Sequence, residues 1–117
     1  MAFDPRTLDR IATAEEVVIE TPGSRRVVIW VVLVGTDVYV RSVRGAEGRW
    51  YRQLVRNKSG TLRIGRLGLP VRALVKKDAG TVRAVSLAFR QKYRGSGSLP
   101  LMLRPSTLPT TLRLEPA

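Results

Sequence analysis

The chain contains no cysteine and no histidine among its 117 residues. The absence of cysteine excludes disulfides and thiolate nucleophiles, and the absence of histidine excludes acid–base catalysis by an imidazole. Zinc sites with sulfur or nitrogen ligands are excluded for the same reason, so we expect no metal site. Few kinds of side-chain chemistry remain.

Acidic residues are scarce. The chain has nine acidic residues and 21 lysines and arginines, which gives a net charge of +12. Residues 1–40 carry four basic and six acidic residues, whereas residues 41–117 carry seventeen and three. So few carboxylates do not favour glycosidase-like or two-metal chemistry. The basic excess attracts anionic ligands, although a genomic base-composition bias toward arginine would also produce it.

Long apolar runs are absent as well. The longest, at residues 27–34, has the length of a strand and not of a membrane span. The N-terminal sequence MAFDPRTLDR lacks the basic start and apolar core of a signal peptide. We therefore expect one cytoplasmic domain over residues 1–117, with no membrane association.

Hydrophobic patterns predict a mainly β chain with some α-helix. The run VVIWVVLV at 27–34 predicts a central strand covered on both faces. In VYVRSV, Val38, Val40 and Ser42 share one face, and Tyr39, Arg41 and Val43 share the other. About six strands are predicted in all, at residues 17–21, 27–34, 38–43, 61–65, 70–77 and 110–116. With short helices at 4–16 and near 49–56 and a longer one from about 79 to 94, they favour an antiparallel barrel with peripheral helices.

Residues 41–66 combine seven arginines with a single acidic residue and an aromatic pair. Arg41, Arg49 and Arg52, with Ser42 and the backbone N–H groups of a helix starting near Arg49, can hold a phosphate. A solvated helix face is the alternative reading of this basic ridge.

Trp50 and Tyr51, inside the same stretch, can stack on a flat ring or simply fill the core. Arg25 and Arg26 can join the anion site or merely flank a turn.

The segments IWVVLVGTDVYVRSVRGAEGRWYRQL, RQKYRG and TLRLEP resemble a small bacterial family of unknown function within the FMN-binding split β-barrel superfamily. That superfamily includes pyridoxamine-phosphate oxidases and deazaflavin-dependent nitroreductases. The resemblance implies a split antiparallel β-barrel of about six strands with two or three peripheral helices, and a homodimer that binds FMN or a deazaflavin coenzyme. It also implies an oxidoreductase activity and a cofactor site at Arg41, Ser42, Arg49, Trp50, Tyr51 and Arg52.

Two other functions remain open. A basic barrel that exposes Trp50, Tyr39 and Tyr51 among arginines fits a single-stranded nucleic acid, because phosphates meet positive charge and bases stack on rings. The Ser-Arg-Lys phosphate signature of the oxidases is absent from this chain, which fits a degenerate barrel that binds no cofactor.

Overall fold

The computed structural model describes residues 2–23 and 26–117. Three α-helices lie within these ranges: α1 (Pro5–Thr13), α2 (Arg49–Asn57) and α3 (Ala79–Lys92). Asp4 caps α1 by accepting a hydrogen bond from the Thr7 N–H, and Asp78 caps α3 in the same way through Thr81. None of the helices in the described part has the length and apolar character needed to cross a bilayer.

Seven strands form one antiparallel sheet: β1 (Val17–Glu20), β2 (Val27–Ile29), β3 (Val32–Val34), β4 (Asp37–Val40), β5 (Ser59–Ile64), β6 (Leu67–Val75) and β7 (Leu112–Pro116). Their spatial order is β2-β1-β5-β6-β7-β4-β3. Three short 3₁₀ turns complete the described elements, at Gly45–Glu47, Leu99–Met102 and Leu108–Thr110. The predicted split barrel is confirmed, with seven strands in place of about six.

The extra strand arises because the run VVIWVVLV is not one central strand. Its first half, β2, pairs with β1, and its second half, β3, pairs with β4 across the two-residue turn Gly35-Thr36. These two halves are the opposite ends of the sheet. The prediction of a central strand was therefore wrong: the run is interrupted at Trp30 and Val31, and its two halves form the two end strands of the curled sheet.

Side chains fill two separate hydrophobic clusters. The larger lies inside the curled sheet and includes Val38, Val40, Trp50 and Leu54. The smaller lies between the sheet and α3 and includes Val32, Tyr39, Val85, Phe89 and Tyr93. Strand β4 thus faces the first cluster with one set of side chains and the second with the other, as its alternation predicts.

Two adjacent side chains at the C-terminal end of α3 hold the bend between β2 and β3. The Tyr93 hydroxyl accepts a hydrogen bond from the Val31 N–H at 3.1 Å and donates to the Glu15 carbonyl at 2.6 Å. The Lys92 amine donates to the carbonyls of Val31 at 2.7 Å and Ile11 at 3.1 Å. The indole of Trp30 stacks on the Tyr93 ring, with centroids 3.9 Å apart. The end of α3 therefore holds the segment that connects β2 to β3.

Burial lowers the pKa of Lys92 to about 8, against a modest opposing attraction from Glu15. In the unfolded chain this amine has its ordinary pKa of 10.5. Between those two values the unfolded chain binds more protons than the folded protein, so the contribution of Lys92 to stability rises with pH.

We predict that the urea midpoint of the wild type, minus that of a Lys92→Met variant, increases from about pH 7.5 to about pH 9.5. The subtraction removes groups common to both proteins, including Tyr93, whose pKa burial raises to about 12. A difference that stays constant or shrinks over this range would contradict the assigned shift.

Candidate functional site

Arg41 lies just beyond β4 and is fully buried. It continues the face of β4 that carries Tyr39, and this face is covered by α3. The guanidinium carbon lies 5.4 Å from the centroid of the Phe89 ring. The alternation of the strand therefore directs this side chain away from the barrel interior and under the helix.

Four of the five N–H donors of Arg41 are taken by protein acceptors. Its Nε donates to Thr111 Oγ1 at 2.9 Å, and its Nη2 donates to the Val82 carbonyl at 2.8 Å. Its Nη1 donates to Ser86 Oγ at 2.9 Å and to the Met102 carbonyl at 3.0 Å. All four acceptors are neutral, and no carboxylate of the described residues forms an ion pair with this guanidinium. Desolvation lowers the pKa of Arg41 to about 10, so the side chain is a cation at neutral pH.

A cleft of about 290 Å³ opens next to Arg41. Its walls come from the β2 run, from α2 and from the turn at Leu99–Met102, and it is lined by Glu16, Val27, Val28, Ile29, Trp30, Arg41, Val43, Arg44, Trp50, Ser98, Leu101 and Met102. Three of these apolar side chains are also exposed to solvent: Val28 at 58%, Val43 at 38% and Leu101 at 40%. The cleft is therefore mainly apolar and continues onto an apolar surface.

Positive charge surrounds this cleft. Arg41 borders the cleft, but none of the Arg41 surface is open to water. Its positive charge therefore lies just beneath the surface of the cleft. Arg44 lines the cleft and is exposed. The exposed Arg104 donates through Nη2 to the carbonyl of Val43, which also lines the cleft. Three guanidinium groups thus lie at or beside the cleft, with Glu16 as its one acidic lining residue.

The six predicted cofactor-binding residues do not all meet at this cleft. Trp50 and Arg41 border it. Tyr51 is half-buried and packs edge-on against Trp50, with ring centroids 6.3 Å apart. Arg49 and Arg52 are exposed on α2 and do not line the cleft.

Arg41, Ser42, Arg49 and Arg52, the residues predicted to hold a phosphate, do not converge on one point. The side chains of Arg41 and Ser42 point to opposite sides of the strand. Arg41 is directed to α3 and its neighbours, whereas the Ser42 hydroxyl faces Gly48. Arg25 and Arg26 were the other candidates for the anion site. Arg26 Nε forms an ion pair with Glu20 Oε2 at 2.6 Å, and Arg25 lies outside the described residues.

Ser42 lies at the contact between the end of β4 and the start of α2. Its N–H donates to Thr110 Oγ1 at 3.0 Å, and its own hydroxyl is buried without a hydrogen-bond partner. A Cβ added to Gly48 would lie 2.3 Å from the Ser42 Oγ. Gly48 is the N-cap of α2, so the absence of a side chain there lets the helix begin against Ser42.

The sequence profile of one protein family matches residues 7–114, and that family is described as "Uncharacterized protein conserved in bacteria (DUF2255)". The chain belongs to the DUF2255 family. No curated protein matches it.

Two solved structures resemble this DUF2255 protein in fold. One, from Listeria innocua, is described as "Putative Pyridoxamine 5'-phosphate oxidase"; it has a TM-score of 0.66 and 13% identity, with 95% of this chain and 90% of that chain covered. The other is the conserved hypothetical protein Rv2991 from Mycobacterium tuberculosis, with a TM-score of 0.66 and 10% identity, covering 97% of this chain and 79% of that one. At such identities the likeness concerns the fold. Neither structure is described as a deazaflavin-dependent nitroreductase.

Sequence reasoning missed most of the cleft. Trp30, Val28, Leu101 and Met102 line it, yet none was a predicted site residue. One available signal was the tryptophan itself, since Trp30 interrupts an otherwise aliphatic β-branched run at the point where the strand bends. The segment after α3 gave no such signal, and only the structure shows that its turn at Leu99–Met102 forms a wall of the cleft.

We predict that Arg41→Lys destabilises this DUF2255 protein by about 3 kcal/mol, because a lysine cannot reach all four acceptors and leaves buried polar groups unpaired. Arg52→Lys, the same substitution on the exposed face of α2, should change the free energy of unfolding by less than about 0.5 kcal/mol. Urea unfolding of both variants measures the two effects. Equal stabilities would show that the Arg41 hydrogen bonds contribute little.

A second prediction concerns the contact of Ser42 with Gly48. Gly48→Ala should destabilise the protein by about 2 kcal/mol, since the new methyl group overlaps the Ser42 hydroxyl. Adding Ser42→Ala should restore most of that loss, because the Ser42 Cβ lies 3.5 Å from the new methyl position, an ordinary contact. Thermal unfolding of the two single variants and the double variant gives the coupling energy. A double variant as unstable as Gly48→Ala would contradict the assigned clash.

Proposed function

We propose that this DUF2255 protein binds a phosphorylated flavin in the cleft beside Arg41, with the ring system among the apolar walls and the phosphate among the arginines at the rim. The observation that carries the proposal is an apolar, tryptophan-lined cleft with an uncompensated buried cation behind its floor. The similarity in fold to the protein described as "Putative Pyridoxamine 5'-phosphate oxidase" also supports the binding of a phosphorylated flavin.

The walls suit a flat aromatic ligand. Trp30 and Trp50 line the cleft with Val28, Ile29 and Met102, and ligand sites of this kind are mostly apolar with a few placed polar groups. Trp30 is fixed by stacking on Tyr93, and Trp50 is 7% exposed and held in the core. Both indoles are therefore rigid before a ligand arrives, which reduces the entropy lost on binding.

The charges suit an anion. A buried arginine without a carboxylate partner is costly to desolvate, and a negative charge nearby offsets that cost. Arg44 and Arg104 are exposed and can form charge-assisted hydrogen bonds to a phosphate. Arg41 acts on the ligand through its field, since its surface is closed to water and most of its donors are occupied.

The size of the cleft favours a site completed by a second copy of the chain. Its volume of about 290 Å³ lies at the lower end of the range for small-molecule sites. Val28, more than half exposed, belongs to β2, which pairs with only one neighbouring strand. A homodimer that packs over this apolar surface would enclose more of the ligand than one chain does.

A bound flavin would supply hydride or electron transfer, which makes an oxidoreductase compatible with a chain that has neither histidine nor cysteine. The protein residues would orient the ring against the apolar walls of the cleft and exclude water from its inner edge. Among the described residues that line the cleft, Glu16 carries the only carboxylate. It is the candidate residue for holding a proton of the substrate.

The test is a fluorescence titration of the purified protein with riboflavin, FMN and the deazaflavin coenzyme. We expect FMN to bind more tightly than riboflavin. Arg44→Gln or Arg104→Gln should weaken FMN by about tenfold, which corresponds to the loss of one charge-assisted contact, and should leave riboflavin unchanged.

The matched control is the pair of variants Arg49→Gln and Arg52→Gln, which remove the same charge from α2. We expect FMN affinity to be unchanged in both. If these variants lose FMN while Arg44→Gln and Arg104→Gln retain it, the phosphate lies at the site predicted from sequence. If no flavin binds at high micromolar concentration, the chain is a barrel without this cofactor.

A further inference from the structure

A basic ridge runs along the outer surface of α3 and ends just beyond the helix. Arg83, Leu87 and Arg90 follow the spacing i, i+4 and i+7, which places them on one line along the helix. Arg94 follows the C-cap residue Tyr93, and all four members of the ridge are exposed. The opposite face carries the fully buried Val85 and Phe89, so the α3 ridge is the face that points to solvent.

The arginines of this ridge are not neutralised within the described part of the chain. The helix sequence AGTVRAVSLAFRQK contains no acidic residue. Acidic residues elsewhere do neutralise arginines, because Glu20 and Glu115 each pair with two of them, namely Arg26 and Arg63, and Arg72 and Arg113. These pairs lie on or beside the strands of the sheet. The arginines of α3 are therefore among the basic residues that have no ion pair within the described part of the chain.

Helix stability does not account for the ridge. The helix dipole favours cations in the last turn, which explains Arg90. It does not explain Arg83, which lies in the N-terminal half of α3. An anionic partner that contacts this face would account for Arg83.

We infer that the α3 ridge is a docking surface for the phosphate backbone of a nucleic-acid duplex. From Arg83 to Arg90 the helical part of the ridge is about 10 Å long, at about 1.5 Å per residue. One strand of B-form DNA carries one phosphate per about 3.4 Å of axis, so this length spans about three phosphates, and Arg94 lies beyond it. Arginine forms bidentate contacts to phosphate, and this surface uses arginine alone.

The rest of the structure favours a duplex over the single strand considered from sequence. Single-strand binding requires exposed rings on which bases stack. Tyr39 is 4% exposed and Trp50 is 7% exposed, so neither offers a free face. Tyr51 is half-buried and packs edge-on against Trp50, so a row of exposed rings is not formed by these three residues. Contacts to phosphates alone are the mode by which proteins bind a duplex without reading its sequence.

An anionic membrane surface fits less well. Helices that bind in the plane of a membrane insert a broad apolar face between the lipids. In α3 that apolar face is buried against the sheet, and the ridge offers only Leu87, which is 53% exposed. Electrostatic attraction would be the main force in either case, and the experiment separates the two partners.

The experiment measures fluorescence anisotropy of a labelled DNA duplex of about 20 base pairs and mixed sequence at several salt concentrations. It compares the wild type with the triple variant Arg83→Gln/Arg90→Gln/Arg94→Gln. The matched control is Arg49→Gln/Arg52→Gln/Arg56→Gln on α2, which removes the same charge from another exposed face. Circular dichroism confirms that both variants are folded.

We expect the wild type to bind the duplex with a steep salt dependence. In the α3 variant the slope of log K against log salt should fall by about 0.9 for each arginine that contacts a phosphate, and so by about 2.7. Its affinity at about 0.1 M salt should fall more than about tenfold, with a much smaller loss in the α2 control. An RNA duplex in a parallel arm shows which nucleic acid is preferred.

Three results would overturn the inference. The first is equal losses in the two triple variants, which would mean that net charge alone attracts the duplex. Absence of duplex binding by the wild type at about 50 mM salt is the second. The third is that the α3 variant loses binding to phosphatidylserine vesicles but keeps its affinity for the duplex.

Discussion

The burial of one guanidinium group organises this structure. Arg41 extends from the end of β4 and donates to acceptors on α3, on the turn at Leu99–Met102 and on the residue that precedes β7. Within residues 2–23 and 26–117 no carboxylate forms an ion pair with it, so the four neutral acceptors are what make its burial tolerable. Segments separated by up to 70 positions in sequence are therefore held in one arrangement around a positive charge.

The same helix also holds the segment that connects the two end strands of the sheet. Lys92 and Tyr93, at the end of α3, bind the backbone of the bend that joins β2 to β3. One helix thus positions the Arg41 side chain and the Trp30 side of the cleft. The cleft exists because a bent strand and a buried cation are held against a common support, and this makes its geometry rigid before any ligand binds.

Local patterns in the sequence predicted much of this fold. The alternation of VYVRSV placed Tyr39 and Arg41 on one face of β4, and the longer helix predicted from about residue 79 is α3. The split barrel itself was correctly predicted. The run VVIWVVLV was misinterpreted because a β-branched segment looks the same whether helices cover it or a bend carries it from one end of a sheet to the other.

The site was less predictable than the fold. Residue type and spacing grouped Arg49 and Arg52 with Arg41 but did not reveal that the cleft borders Arg41 and not α2's exposed arginines. The buried position of Arg41 was not predicted, since residue type alone does not show which acceptors a guanidinium will find. Long-range contacts, such as those of Arg41 with Thr111 and Ser86, have no local signal in the chain.

The most direct test of the account is the NMR spectrum of the arginine Nε–H groups during a titration with FMN. The account predicts a slowly exchanging Arg41 signal at neutral pH, because this group is fully buried and hydrogen-bonded to Thr111. On addition of FMN the signals of Arg41 and Arg44 should shift while those of Arg49 and Arg52 do not. An Arg41 signal that exchanges as fast as the surface arginines, or shifts confined to Arg49 and Arg52, would contradict it.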